Sequence, residues 1–166
     1  MPSRRTALVM LSAVAATPTA AFAAKAKTIM WDDLIPPGVA YSEIIGPGYI
    51  DEARDIWNPT YDANATRLNE RLNSAYVRLP GYVIPLEIGA KGVTEFLLVP
   101  YIGACIHTPP PPANQLVMVT SERAWPNEQL WDAVWVTGKM RTRIQSTGLG
   151  QTGYAISADN LEVYVW

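Results

Sequence analysis

The chain has 166 residues, with 13 basic and 15 acidic side chains, one cysteine and one histidine. That length accommodates a single core and is short for two domains. A net negative charge opposes phosphate backbones and so excludes nucleic acid as a natural partner, and one cysteine excludes an internal disulfide.

Residues 1–23 read as an export signal. Arg4 and Arg5 form a basic start, Ala7–Ala16 is an uncharged apolar run, and Ala21-Phe22-Ala23 supplies small residues at the cleavage positions. Ser3-Arg4-Arg5 partly matches a twin-arginine signal, with Ala7 where phenylalanine is usual, so Sec and twin-arginine export both stay open. The apolar run falls short of the roughly 20 residues that cross a bilayer, which argues against a retained anchor. Without this segment 11 basic residues face 15 acidic ones. The segment has no cysteine, so no lipid anchor is expected, and the mature chain should be a soluble periplasmic protein.

Residues 24–74 form a lead-in. Pro36-Pro37-Gly38 and Gly46-Pro47-Gly48 break regular elements and leave an extended segment, with Trp31, Leu34 and Ile35 tucked against the body. Ala65, Leu68 and Leu72 recur at helical spacing behind a cap at Thr60 or Asp62, which predicts one amphipathic helix over Tyr61–Asn73.

From Ala75 to Trp166 the period becomes two. Ala75, Val77 and Leu79 share one face; after Pro80-Gly81, Tyr82, Ile84, Leu86 and Ile88 share another. A one-residue phase slip of this kind predicts a bulge or bend in a long first strand. Gly89–Gly92 turns the chain into a second strand, Val93–Tyr101, closing a hairpin. Leu116–Thr120 is a third strand, and Ala124–Leu130 holds a helical turn. Ala133–Arg143 is a fourth strand, with Val134 and Val136 opposite Trp135, Thr137 and Lys139. Tyr154–Trp166 is the last, alternating Leu161, Val163 and Val165 with Glu162, Tyr164 and Trp166. Five strands with a bent first one indicate a mainly β fold, a small closed or partly open barrel. Gly148 to Gly153 satisfies G-x-G-x-x-G, yet a strand follows instead of a helix, so we read a hairpin loop and reject dinucleotide binding.

Cys105-Ile106-His107 is the chemically distinctive stretch. In extended backbone these two side chains project to one side, and thiolate and imidazole suit zinc or copper. Further ligands would have to be carboxylates such as Glu87 or Glu95, water or a partner's groups. Two other readings stay open: a Cys-His nucleophile with Asn114 or Gln115 orienting the ring, and a buried thiol beside a histidine that caps the turn. Pro109–Pro112 should hold polyproline II geometry and fix the loop length, and Asn114 and Gln115 would return hydrogen bonds to a loop without donors. No carboxylate pair or G-x-S-x-G elbow points to hydrolysis, so an enzyme is not the leading expectation.

The segments Leu98-Val99-Pro100-Tyr101, Gly103-Ala104-Cys105-Ile106-His107, Pro109–Pro112 and Asn114-Gln115 resemble a family of small exported bacterial proteins known as domain-of-unknown-function family 3299. Gly81–Glu87 and Val136-Thr137-Gly138 also fit its pattern, while Tyr82 and Ile102 stand where other aromatics are commoner. The resemblance covers about Ala75 to Trp166. It implies an OB-like barrel and, because some members sit beside zinc-regulated ABC-type transporters, periplasmic metal handling with a transporter or other periplasmic partner. Cys105 and His107 are the ligands it would assign. The alternative from another class is a non-catalytic interaction module with a structural Cys-x-His loop.

Overall fold

The computed structural model describes residues 25–53, 55–103, 109–126 and 132–165; the export segment and the Cys105-Ile106-His107 stretch lie outside the described residues. Among the described residues the strands are β1 (Lys27–Thr28), β2 (Ile44–Asp51), β3 (Ile56–Tyr61), β4 (Tyr76–Gly89), β5 (Gly92–Val99), β6 (Val117–Trp125), β7 (Ala133–Thr147) and β8 (Gly150–Val163). Strand β4 organises them. Its first half, Tyr76–Tyr82, pairs antiparallel with β7, and its second half, from Tyr82 to Gly89, pairs antiparallel with β5. The remaining order is β5-β6-β8-β7, with β6 and β8 parallel, so five strands close on themselves as an OB-like barrel. This is the mainly β, five-stranded architecture expected from the sequence.

The predicted phase slip is absent. Val77, Leu79 and Val83 all enter the barrel core, together with Phe96 and Leu98 of β5, Val117 and Val119 of β6, Val134, Val136 and Met140 of β7 and Tyr154 and Ile156 of β8. Tyr82 and Ile84 form a second, outer cluster with Leu97, Val99 and Leu116. Both faces of this part of β4 are therefore buried, which erases the alternation that a half-buried strand shows and mimics a slip. Gly81 stays in phase with the inward set. A Cβ there would lie 2.7 Å from Leu98 Cγ and 2.8 Å from the Val99 carbonyl oxygen, so its bare backbone lets β4 bend against β5. A true irregularity lies in β8: Thr137 pairs with Asn160 but Gly138 with Ala158, leaving Asp159 as an extra residue.

The lead-in plugs the barrel, as its apolar residues suggested. Ile29, Leu34 and Leu72 belong to the main core and Trp31 packs against it. One continuous helix over Tyr61–Asn73 is not formed. Two 3-10 turns, Ala63–Thr66 and Glu70–Leu72, stand in its place, separated by extended backbone at Arg67 and Asn69. Asp62 caps the first through Asn64 N, as proposed. The inward residues were read correctly, because Ala65 and Leu72 are buried; the helix itself loses to local competitors. Asn69 N donates to the Tyr154 hydroxyl, Arg71 N to Asn69 Oδ1, and the Asn64 and Arg67 carbonyls accept from the Asn114 side chain. The helical turn expected within Ala124–Leu130 is replaced by strand as far as Trp125, and 127–131 lie outside the described residues. The β7–β8 connection is a tight hairpin in which Thr147 pairs with Gly150; the loop read over Gly148–Gly153 shrinks to Gly148 and Leu149, because Gly150 to Gly153 already belong to β8.

Candidate functional site

Strand β5 ends at Val99, and the chain leaves the barrel through Pro100 and Tyr101 and returns at Pro109. Between those points lies the segment bearing Cys105 and His107, outside the described residues. What the structure defines is where that segment is rooted. Pro100 and Tyr101 at its start and Pro109 at its end line one cleft of about 720 Å³, whose other walls come from the lead-in and from the end of β3.

Each wall has a local cause. Proline fixes the backbone dihedral and removes the amide donor, so Pro109–Pro112 runs extended, ending at Pro112 with φ −60° and ψ 156° before the short 3-10 turn Ala113–Gln115. That turn is anchored by two buried amides. Asn114 Nδ2 donates to the carbonyl oxygens of Asn64 (2.9 Å) and Arg67 (3.4 Å), and Gln115 Nε2 to those of Trp31 (3.1 Å) and Asn114 (3.0 Å). Their donors thus clamp the lead-in to the proline wall. Asn114 Oδ1 is buried with no partner among the described residues.

Trp31 is held by its indole N–H, which donates to the Pro80 carbonyl at 2.8 Å, and the Tyr61 hydroxyl donates to the Pro110 carbonyl at 3.1 Å. The Tyr41 hydroxyl donates to Asp32 Oδ1, and that bond, with the carboxylate's charge and some burial, pushes its pKa up to about 12. Asp32 and Glu43 are the carboxylates of this cleft, and no lysine or arginine is among the described residues that line it. Ser42 Oγ, also on its wall, is buried with no partner among the described residues.

Glu87 and Glu95 sit elsewhere. They face each other across β4 and β5 toward the Gly89–Gly92 turn, and both are exposed. Five steps of strand separate Glu95 from Pro100, roughly 17 Å at about 3.4 Å per residue, whereas Asp32 and Glu43 share a cleft with Pro100, Tyr101 and Pro109 at the root of the Cys105–His107 segment. Glu95 instead borders a polar cleft of about 560 Å³ with Glu122, Arg123 and Asp159. Among the described residues no three His, Cys, Asp or Glu side chains converge as a metal site. The sequence pattern points to Trp31 only as packing, to Tyr61 only as a helix start and to Tyr101 only within the family motif, and it gives no role to Asp32 or Tyr41. The available signal was that each of these residues lies within a few positions of a proline or glycine break, where aromatic side chains can gather around irregular backbone.

Fold and site together define a small OB-like barrel, plugged by its own N-terminal segment, with an aromatic and proline-walled cleft at the junction. The model of a protein family of unknown function, DUF3299, matches residues 31–163, and the chain belongs to that family. Its fold is similar to that of a DUF3299 family protein from Pseudomonas aeruginosa PAO1 solved by crystallography, with a TM-score of 0.68 and 32% sequence identity over 85% of this chain and 97% of that one. A search of curated proteins gives no significant match.

Proposed function

We propose that this protein is an exported, non-catalytic binding module whose ligand site is the cleft between the lead-in, Tyr61 and the root of the Cys105–His107 segment. The observation that carries this reading is the cleft itself: about 720 Å³, within the range of small-molecule sites, walled mainly by aromatic rings and prolines that hydrogen bonds hold in place. Rigid, mainly apolar walls with few polar groups suit recognition. A thermal-shift screen against a library of cations, anions and neutral aromatics should give stabilising compounds whose effect disappears in Tyr101→Ala and persists in Glu122→Gln, in the polar cleft. Stabilisation that ignores Tyr101→Ala in every case would overturn the reading.

A second reading has its own support. The segment bearing Cys105 and His107 is rooted on a wall that also carries Asp32 and Glu43, so a zinc or copper ion held by that thiolate and imidazole would find its oxygen donors there more readily than at Glu87 and Glu95. In this reading the protein is a periplasmic accessory that hands metal to or from an ABC-type transporter. Reduced protein loaded with zinc or copper should lose metal in Cys105→Ser and His107→Ala; equal metal content in both variants and the parent would reject it.

A further inference from the structure

The aromatic cleft has a chemical sign. Trp31 and Tyr41 of the lead-in, Tyr61 at the end of β3 and Tyr101 after β5 reach it from three separate parts of the chain, and Asp32 and Glu43 stand among them with no lysine or arginine on the described walls. Of the side-chain donors on the described walls, four are already engaged and the Ser42 hydroxyl is not. The Trp31 indole donates to Pro80, the Tyr61 hydroxyl to Pro110, the Tyr41 hydroxyl to Asp32, and the Gln115 amide to Trp31 and Asn114. The prolines of the wall have no N–H to give. What the described walls leave for a ligand is aromatic faces, carboxylate oxygens and the one hydroxyl of Ser42.

We propose that this cleft binds an organic cation with an apolar body, an alkylated or quaternary ammonium; the proposal rests on the reading of the cleft as the ligand site. Such a cation needs no hydrogen-bond donor. It is attracted by ring quadrupoles and by the two carboxylates, and its alkyl groups displace water from the apolar wall. An anion would meet Asp32 and Glu43 with no lysine or arginine among the described residues of the wall to offset them. A peptide in polyproline II conformation would bring a row of carbonyl groups, and on the described walls a single hydroxyl, Ser42, is left to meet them. A divalent ion needs a larger donor set than Asp32 and Glu43, the two carboxylates on the described walls, supply by themselves.

The test is calorimetric titration of the mature protein with choline and with 3,3-dimethylbutan-1-ol, which has the same shape with carbon in place of the charged nitrogen. Choline should bind at least about tenfold more tightly than the neutral alcohol, in line with one desolvated cation–aromatic contact. Glu43→Gln, alone and with Asp32→Asn, should weaken choline about tenfold and leave the alcohol unchanged. Tyr101→Ala should weaken both. Equal affinity for the two probes overturns the cation assignment and leaves the cleft reading standing. Choline binding that survives both carboxylate changes overturns it too. If neither probe binds while Tyr101-dependent library compounds do, the cation assignment falls alone; if no compound depends on Tyr101, both readings fall. Melting curves of Glu43→Gln, an exposed position, separate loss of binding from loss of fold.

Discussion

Tyr154 does the most of any side chain to join the two parts of the molecule. It is fully buried in the barrel core, yet its hydroxyl donates to the Leu34 carbonyl and accepts from Asn69 N at 2.6 Å, both in the lead-in. Tyr154→Phe removes the oxygen and orphans two backbone groups, so it should destabilise by about 1–3 kcal/mol in denaturant unfolding. Burial also pushes this hydroxyl up to about 12, against the offsetting bond from Asn69. The folded chain therefore holds the proton more tightly than the unfolded chain, whose tyrosine titrates near 10. Stability from this group is intact below pH 10 and falls as pH climbs toward 12. Melting temperatures followed across that window should fall more steeply for the parent than for Tyr154→Phe; parallel curves would remove the role assigned to this hydroxyl. Gly81 shows the opposite dependence, on an atom it lacks. Gly81→Ala places a methyl against the Val99 carbonyl oxygen and Leu98, and should cost about 1–3 kcal/mol through overpacking.

Among the elements, strands were far more legible than the turns. Alternation located β7, where Val134 and Val136 meet the core, but it misread β4, where Tyr82 and Ile84 are buried on the outer side by Leu97 and Leu116. It also misread the last strand, setting Val163 and Val165 on the apolar face, whereas Tyr154, Ile156 and Ala158 face the core and Val163 and Val165 are exposed. The segment 61–73 kept its inward residues and lost its helix, since a 3.6-residue period is silent about what competes for backbone groups. That competitor, Asn114, lies 47 to 50 residues further along the chain, and nothing local announces it. Asn114→Ala should release the Asn64 and Arg67 carbonyls from their clamp, costing about 1–3 kcal/mol and accelerating amide exchange in 62–73 ahead of the barrel strands. Uniform acceleration across barrel and lead-in would show that the clamp acts on global stability alone. The cleft was illegible for the same reason: Trp31, Tyr61 and Tyr101 meet only because β3, the lead-in and the exit from β5 converge there.

At the scale of the whole molecule, an OB-like barrel commonly leaves a strand face open to oligonucleotides or oligosaccharides. The barrel is instead completed by its own N-terminal segment. Ile29 and Leu34 are at most 1% exposed inside the main core, β1 adds parallel to β4 at Val77 and Arg78, and Ser74 N and Ala75 O bond across to Met140 of β7. A chain starting at Ala75 would expose the apolar surface those residues cover and leave the Tyr154 hydroxyl without Leu34 and Asn69. Losing two large buried aliphatic side chains costs several kcal/mol, comparable with the 5–15 kcal/mol that separates most domains from unfolding. Residues 75–166 alone should therefore fail to give a cooperative melting transition, and adding a peptide of residues 25–74 should restore one in proportion to its concentration. A sharp, peptide-independent transition would show that the barrel folds by itself and that the lead-in serves only to build the cleft.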